Sequence, residues 1–216
     1  MFIGTFNNKG GTGKQKARNL IINAIKNSDT NKSKILTLPA EDFEIEKLLF
    51  TQVSKKINFL MCESKPLIYK KLIAKANNFF TRMPAYYCGF IGDKIYEARE
   101  NEYSHLILDY CGQIASFADE ILFAMNNKIV EVDGTISLTF NKRITGTQSK
   151  KFVELMELLN PQALKSKTNV IKDEPRTEHS ILTFFNRNGG MNYAIENVFS
   201  YKDTAAMFLV IIRRIK

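Results

Sequence analysis

The sequence predicts a three-layer α/β/α sandwich built on a mostly parallel sheet that ends in an antiparallel hairpin. Three observations predict it. Short apolar runs of strand length alternate with segments whose apolar residues recur at helical spacing. The run His105-Leu106-Ile107-Leu108 is continuously apolar after its first residue, as a strand covered on both faces must be. Near the C-terminus, Tyr193–Tyr201 and Ala205–Ile212 read as two strands joined by Lys202-Asp203-Thr204, an antiparallel hairpin.

The elements follow in order. Met1–Phe6 reads as a short strand, followed by a glycine-rich loop and a helix over Gln15–Asn27 that carries Leu20, Ile21, Ala24 and Ile25 on one face. Ser28–Asn31 is a polar break. Lys34–Pro39 is a strand stopped by its proline, and Glu41–Gln52 a helix. Ile57–Cys62 is the next strand. Ser64 is placed to cap the helix that follows, with Pro66 in its first turn and its end near Asn77. Tyr86–Ile91 is read as a strand closing in Gly92-Asp93, Ile95–Asn101 as a short helix, and His105–Asp109 as a strand. Ser116–Met125 is helical. Ile129–Phe140 is strand-like but carries Asp133-Gly134, a strong turn signal that is expected to interrupt it. Gln148–Leu159 is an amphipathic helix with Phe152, Leu155, Met156 and Leu159 in register. Residues 160–180 are polar enough for a surface loop or small insertion, Ile181–Arg187 reads as a helix end or a strand, and Asn188-Gly189-Gly190 is a turn. Residues 1–33 are thus expected as an N-terminal extension and residues 34–216 as one compact domain.

Composition narrows the function classes. The 216 residues and 44% hydrophobic content suit one α/β domain with a packed core. No apolar run approaches the ~20 residues that cross a bilayer, and Met1-Phe2-Ile3-Gly4 has no secretory-signal character, so a cytoplasmic protein is expected, including one of viral or plasmid origin acting in a host cell. The cysteines Cys62, Cys88 and Cys111 are odd in number, lack metal-ligand spacing and are expected as buried free thiols. With two histidines in the chain, no metal site is expected. The net charge of +9 points to an anionic partner, nucleic acid first, with a merely solubilising basic surface as the other reading.

Acidic residues close several of the expected strands. Glu63 ends Phe59-Leu60-Met61-Cys62, Asp93 follows Tyr86–Gly92, and Asp109-Tyr110-Cys111-Gly112 follows Leu106-Ile107-Leu108. In an open parallel sheet the carboxyl ends of the strands line the ligand crevice. A carboxylate there can accept from two neighbouring hydroxyls at once. This ladder resembles the Rossmann-like sheet of the class I S-adenosylmethionine-dependent methyltransferases, and the terminal hairpin and the glycine turn within Val132–Phe140 match that family too. The resemblance implies a cofactor, S-adenosylmethionine, held by Glu63 on its ribose with Ser64 beside it. Asp93 and Lys94 would stand near the adenine. The segment Leu38-Pro39-Ala40 occupies the place of the family's glycine-rich loop and has no glycine. Asp109 and Tyr110 would face the target, as polar acceptor and stacking ring. Cys111 is a candidate nucleophile of the kind used on cytosine C5.

The N-terminal Lys9-Gly10-Gly11-Thr12-Gly13-Lys14 makes a second offer. It resembles the deviant phosphate-binding loop of ParA-type partition ATPases, in which Lys9 and Lys14 would contact the phosphates of ATP bound with magnesium. Gln15 stands where that loop has a magnesium-binding hydroxyl. Lys9, Lys14, Lys16, Lys150 and Lys151 are the candidate phosphate contacts, whether of nucleotide or of nucleic acid. Three functions follow: a methyltransferase acting on nucleic acid, a methyltransferase-like protein that has lost catalysis and serves in nucleic-acid binding or assembly, and a ParA-like ATPase.

Overall fold

The computed structural model describes residues 11–30, 34–110, 112, 114–141, 192–202 and 205–216. The expected strand over Met1–Phe6, the helix over Gln148–Leu159, the 160–180 loop, the Ile181–Arg187 element and the Asn188–Gly190 turn lie outside these residues. So do Lys9, Cys111, Lys150 and Lys151.

The described elements are α1 (Thr12–Lys26), β1 (Lys34–Thr37), α2 (Glu44–Gln52), β2 (Asn58–Cys62), α3 (Pro66–Ala76), β3 (Ala85–Tyr87), α4 (Ile91–Tyr96), β4 (Tyr103–Asp109), α5 (Ala118–Asn126), β5 (Val130–Asn141), β6 (Tyr193–Lys202) and β7 (Ala206–Arg214). The strands form a seven-stranded sheet in the order β3-β2-β1-β4-β5-β7-β6. Pairing is parallel from β3 to β5, while β7 inserts antiparallel between β5 and β6. The expected layers and terminal hairpin are therefore present.

Strand periodicity divides the core between the two faces of the sheet. Ile35, Phe59, Met61, Ile107, Leu209 and Ile211 face one way and pack with α1, α2 and α3. Leu36, Leu106, Leu108, Ile136, Leu138, Phe208 and Val210 face the other way and pack with α4 and α5. Helix α1 belongs to the first layer: Ala17, Ile21, Ile22, Ala24 and Ile25 are buried in the same cluster as Phe43, Leu49 and Leu72. Its C-terminal end is tied down where Arg213 donates to the Ala24 carbonyl at 2.9 Å and Ser28 meets His105 at 3.2 Å. Its first turn therefore lies at the opposite edge, the carboxyl edge of the parallel strands.

Several local expectations are corrected. Tyr86–Ile91 is not one strand: β3 stops at Tyr87, and Ile91 already opens α4, where its side chain is 5% exposed in the core. An apolar run split between a strand and a buried helix start carries no period to separate the two. Asp133-Gly134 does not interrupt β5. It forms a bulge within a continuous strand, with Asp133 in the left-handed region (φ 65°) and the β4–β5 register shifting between Tyr103 and His105. Glycine is required there, because a Cβ on Gly134 would stand 2.1 Å from the Ser104 carbonyl oxygen. Ser64 does not cap α3, whose preceding residue is Lys65 with no side-chain cap. Cys88 is exposed rather than buried, whereas Cys62 is buried and burial pushes its thiol up to about 12, leaving it unreactive.

Candidate functional site

The sheet changes direction of build between β1 and β4, which is where a crevice is expected in such a fold. A cleft stands there. It is lined from α1 by Lys14, Ala17, Arg18 and Ile21, from the β1–α2 connection by Leu38 and Ala40, and from α2 by Glu44, Ile45 and Glu46. Asp109 closes it from β4, Thr139 from β5 and Tyr201 from β6. The two competing sequence motifs thus meet in one place: Lys14 of the glycine loop and Asp109 of the strand-end ladder face the same space.

Each wall has a local cause. Lys14 and Arg18 stand four residues apart on α1, in line with the buried Ile21 and Ile25, and both are only 6% exposed. Arg18 pairs with Glu44 at 3.5 Å. Gly13 lets the start of α1 approach β6, since a Cβ there would sit 3.0 Å from that of Tyr201. Gln15, in the place of the phosphate loop's hydroxyl residue, is exposed and donates along the helix to Asn19 at 3.3 Å. Lys16 is also exposed and lies over the Phe199 ring at 5.1 Å.

The glycine-free segment after β1 still makes a tight bend. The Phe43 amide donates to the Ala40 carbonyl at 3.0 Å, and Phe43 adopts φ 52°, ψ 38°, a left-handed conformation that glycine takes most readily. Its side chain turns away from the cleft, is 1% exposed, and meets Phe80 edge-to-face at 5.7 Å. Pro39 is buried, while Leu38 and Ala40 border the cleft. Burial therefore takes up the bulk of the residue at the bend, and the backbone path is kept.

Beneath the cleft lies a polar layer. Thr37 donates to the Glu46 carboxyl at 2.6 Å, and Thr139 donates to Asp109. Glu46 is 2% exposed; burial pushes its carboxyl up to about 7, with Asp109 adding to the rise while Thr37 and Arg18 oppose it.

Farther along the same edge stand the residues at the ends of β2 and β3. Glu63 is half-buried, held by its amide to the Tyr87 carbonyl and by its carbonyl to the Gly89 amide, each at 3.1 Å. One of its carboxylate oxygens accepts from the Lys65 amide at 2.8 Å. Ser64 beside it is exposed. Tyr87 donates to the exposed Asp93 at 2.9 Å and carries Lys94 over its ring at 4.3 Å. Phe90, 66% exposed and immediately before α4, and Leu67, 77% exposed in the first turn of α3, stand at this edge.

Tyr110 is turned inward. Its ring stacks on Phe117 with centroids 3.8 Å apart, and its hydroxyl donates to Glu120 at 2.7 Å. At 5% exposure it supports the β4 end from the α5 side.

Sequence reasoning missed Arg18, Glu44, Glu46, Thr139 and Tyr201. A signal existed for two of them. Arg18 interrupts an apolar stripe that continues at Ile21 and Ile25, and Glu46 stands one helical turn before Leu49 and Phe50. A charge on a buried stripe is unusual enough to mark a site.

No protein-family model matches the sequence, and no curated protein matches it. Solved structures do match. One is an rRNA methylase from Streptococcus thermophilus, with a TM-score of 0.56 at 9% identity, covering 91% of this chain and 95% of that one. Another is the putative methyltransferase yhhF from Escherichia coli, with a TM-score of 0.59 at 6% identity, covering 100% of this chain and 92% of that one. A third is P. horikoshii TYW2 in complex with MeSAdo, with a TM-score of 0.52 at 11% identity, covering 100% of this chain and 65% of that one. At these identities the likeness is one of fold, and it agrees with the strand order and the inserted antiparallel β7. The chain has the Rossmann-like fold of the class I S-adenosylmethionine-dependent methyltransferases.

Proposed function

We propose that the chain is an S-adenosylmethionine-dependent methyltransferase acting on nucleic acid. The observation that carries this reading is the alignment of Glu63, the charged cleft and Asp109 along one carboxyl edge of the sheet.

The residues fit the cofactor by their chemistry. Glu63 gives one oxygen to the Lys65 amide, and a carboxylate has about four acceptor sites, so capacity remains for two ribose hydroxyls. Asp93 and Lys94 flank the adenine end, where the apolar faces of Phe90 and Leu67 would be covered by a flat base. The cleft offers cations, Lys14 and Arg18, and acids, Glu44 and Asp109, as an amino-acid zwitterion requires. Leu38, Pro39 and Ala40 form the backbone wall between these ends. Bound there, the cofactor supplies a methyl group activated by a positive sulfur. The protein's part is orientation: holding the target in line with that methyl group contributes much of the rate. Asp109, fixed by Thr139, accepts a hydrogen bond from the target amine. Cys111 would serve instead if the target were a carbon.

Nucleic acid is the favoured target on charge. The chain carries +9, and the exposed Lys16, on the same helix as Lys14, would meet phosphates. A solved structure with this fold is an rRNA methylase.

Calorimetric titration with S-adenosylmethionine, beside ATP with magnesium, tests the reading. Saturable binding of the first is expected. Glu63→Ala should weaken it by about 150-fold or more, since two hydrogen bonds to a charged group contribute roughly 1.5–3 kcal/mol each. Binding of ATP lost in Lys14→Ala would establish the ATPase reading instead, and silence from both would leave a methyltransferase fold kept for binding or assembly.

A further inference from the structure

Glu46 has no part in the reading above, yet it is the most deeply buried acid of the cleft. It reaches the cleft from the first turn of α2, 2% exposed, with Thr37 of β1 donating to it at 2.6 Å. Arg18 of α1 and Asp109 of β4 act on its charge, Thr37 donates to it, and it helps to raise the buried Tyr86 hydroxyl of β3, while Lys14, Glu44, Thr139 and Tyr201 line the same cleft. Glu46 thus lies within reach of Arg18, which favours its charged form, and of Asp109, which opposes it.

We propose that Glu46 selects the charge of the ligand in the cleft, favouring the positively charged methyl donor over the neutral thioether that remains after transfer. This rests on the methyltransferase reading. The physical reason is differential binding. A buried negative charge attracts a sulfonium within a low-dielectric space and has no such attraction for a thioether, so donor is held and product is released. Burial holds the Glu46 carboxyl near 7 in the ligand-free protein, so it is about half protonated at neutral pH. A cation entering the cleft favours the ionised form, and Glu46 then gives up its proton to solvent. The thioether brings only the ammonium that both ligands share, so it draws off less of the proton than the donor does. Donor affinity therefore rises with pH more steeply than product affinity. If the cation drives Glu46 fully to its ionised form, the rise from about pH 6 to about pH 8 is roughly tenfold.

The test is calorimetry at about pH 6.5 in two buffers of different ionisation enthalpy, titrating S-adenosylmethionine and, separately, S-adenosylhomocysteine. The wild type should release a larger fraction of a proton on binding the donor than on binding the thioether. Glu46→Gln, which preserves the Thr37 hydrogen bond, should bind both without proton release and lose at least fivefold of the donor's preference. Equal proton release for both ligands, or an unchanged preference in Glu46→Gln, would overturn this inference while leaving the methyltransferase reading intact. If neither ligand binds the wild type, that reading fails and this one with it. The wild-type comparison of donor with thioether needs no variant, so a folding defect in Glu46→Gln would not spoil the test.

Discussion

Phe43 carries the bend after β1 in a conformation that suits glycine, and replacing it separates two opposing energies. The Phe43 ring is 1% exposed and packs edge-to-face on Phe80, so truncation to alanine should cost about 3–5 kcal/mol from lost burial and the cavity left behind. The backbone at φ 52° costs a residue with a Cβ roughly 1–2 kcal/mol, and alanine keeps that cost. Glycine at the same position loses the same ring but removes the strain. Against this, glycine adds about 0.4–1 kcal/mol of unfolded-state entropy. The balance predicts that Phe43→Gly is more stable than Phe43→Ala by about 0.5–1 kcal/mol, the reverse of the order at a right-handed position. Urea unfolding of the two variants beside the wild type, with slopes compared to confirm a common denatured state, measures the difference. If Phe43→Ala proves equal to or more stable than Phe43→Gly, the left-handed bend, and with it the account of how the glycine-free segment keeps its path, is refuted.

Three further outcomes are expected. Burial pushes the His105 imidazole from 6.5 down to about 3, so the folded state rejects a proton that the unfolded chain accepts; this contribution to stability is whole above pH 6.5 and is lost as pH falls toward 3. Between pH 7 and 5 the wild type should lose up to about 2 kcal/mol more than His105→Gln does, read from urea midpoints; parallel losses would remove His105 from the acid response. Arg214, 4% exposed, donates to the carbonyls of Val130 at 2.6 Å, Lys128 at 2.9 Å and Lys216 at 2.7 Å, and to Asn101 at 2.7 Å. Arg214→Met should cost about 3 kcal/mol by leaving buried acceptors unpaired, and a loss under about 1 kcal/mol would show that water replaces the guanidinium freely. Lys16→Ala should lower affinity for a mixed-sequence RNA and reduce the slope of log affinity against log salt by about 0.7–0.9; an unchanged slope would place the nucleic-acid path elsewhere.

Much of the fold was legible because its signals are local. The alternation of strand runs with helical stripes gave the layers, and the paired runs around residues 202–204 gave the hairpin, both borne out by the sheet order. Where signals of different kinds overlapped, reading failed. Gly89-Phe90-Ile91 was continuous with a strand by hydropathy, yet Ile91 opens a helix. Asp133-Gly134 had turn chemistry, yet the same left-handed preference serves a bulge when the partner strand continues past it. Of the cleft, the strand-end acid Asp109 and the loop lysine Lys14 were legible as separate motifs, but nothing local joined them.

By itself, the sequence determined which residues face the core and which close the strands, because both follow from side-chain period along a short stretch of backbone. Only the tertiary structure decided that Lys14, Arg18, Glu46 and Asp109 share one cleft. Their meeting depends on α1 lying with its first turn at the carboxyl edge and on β1 pairing with β4 across some 70 residues of chain. Strand order and helix placement of that kind are set by the packing of the whole sheet, where no single segment carries the information.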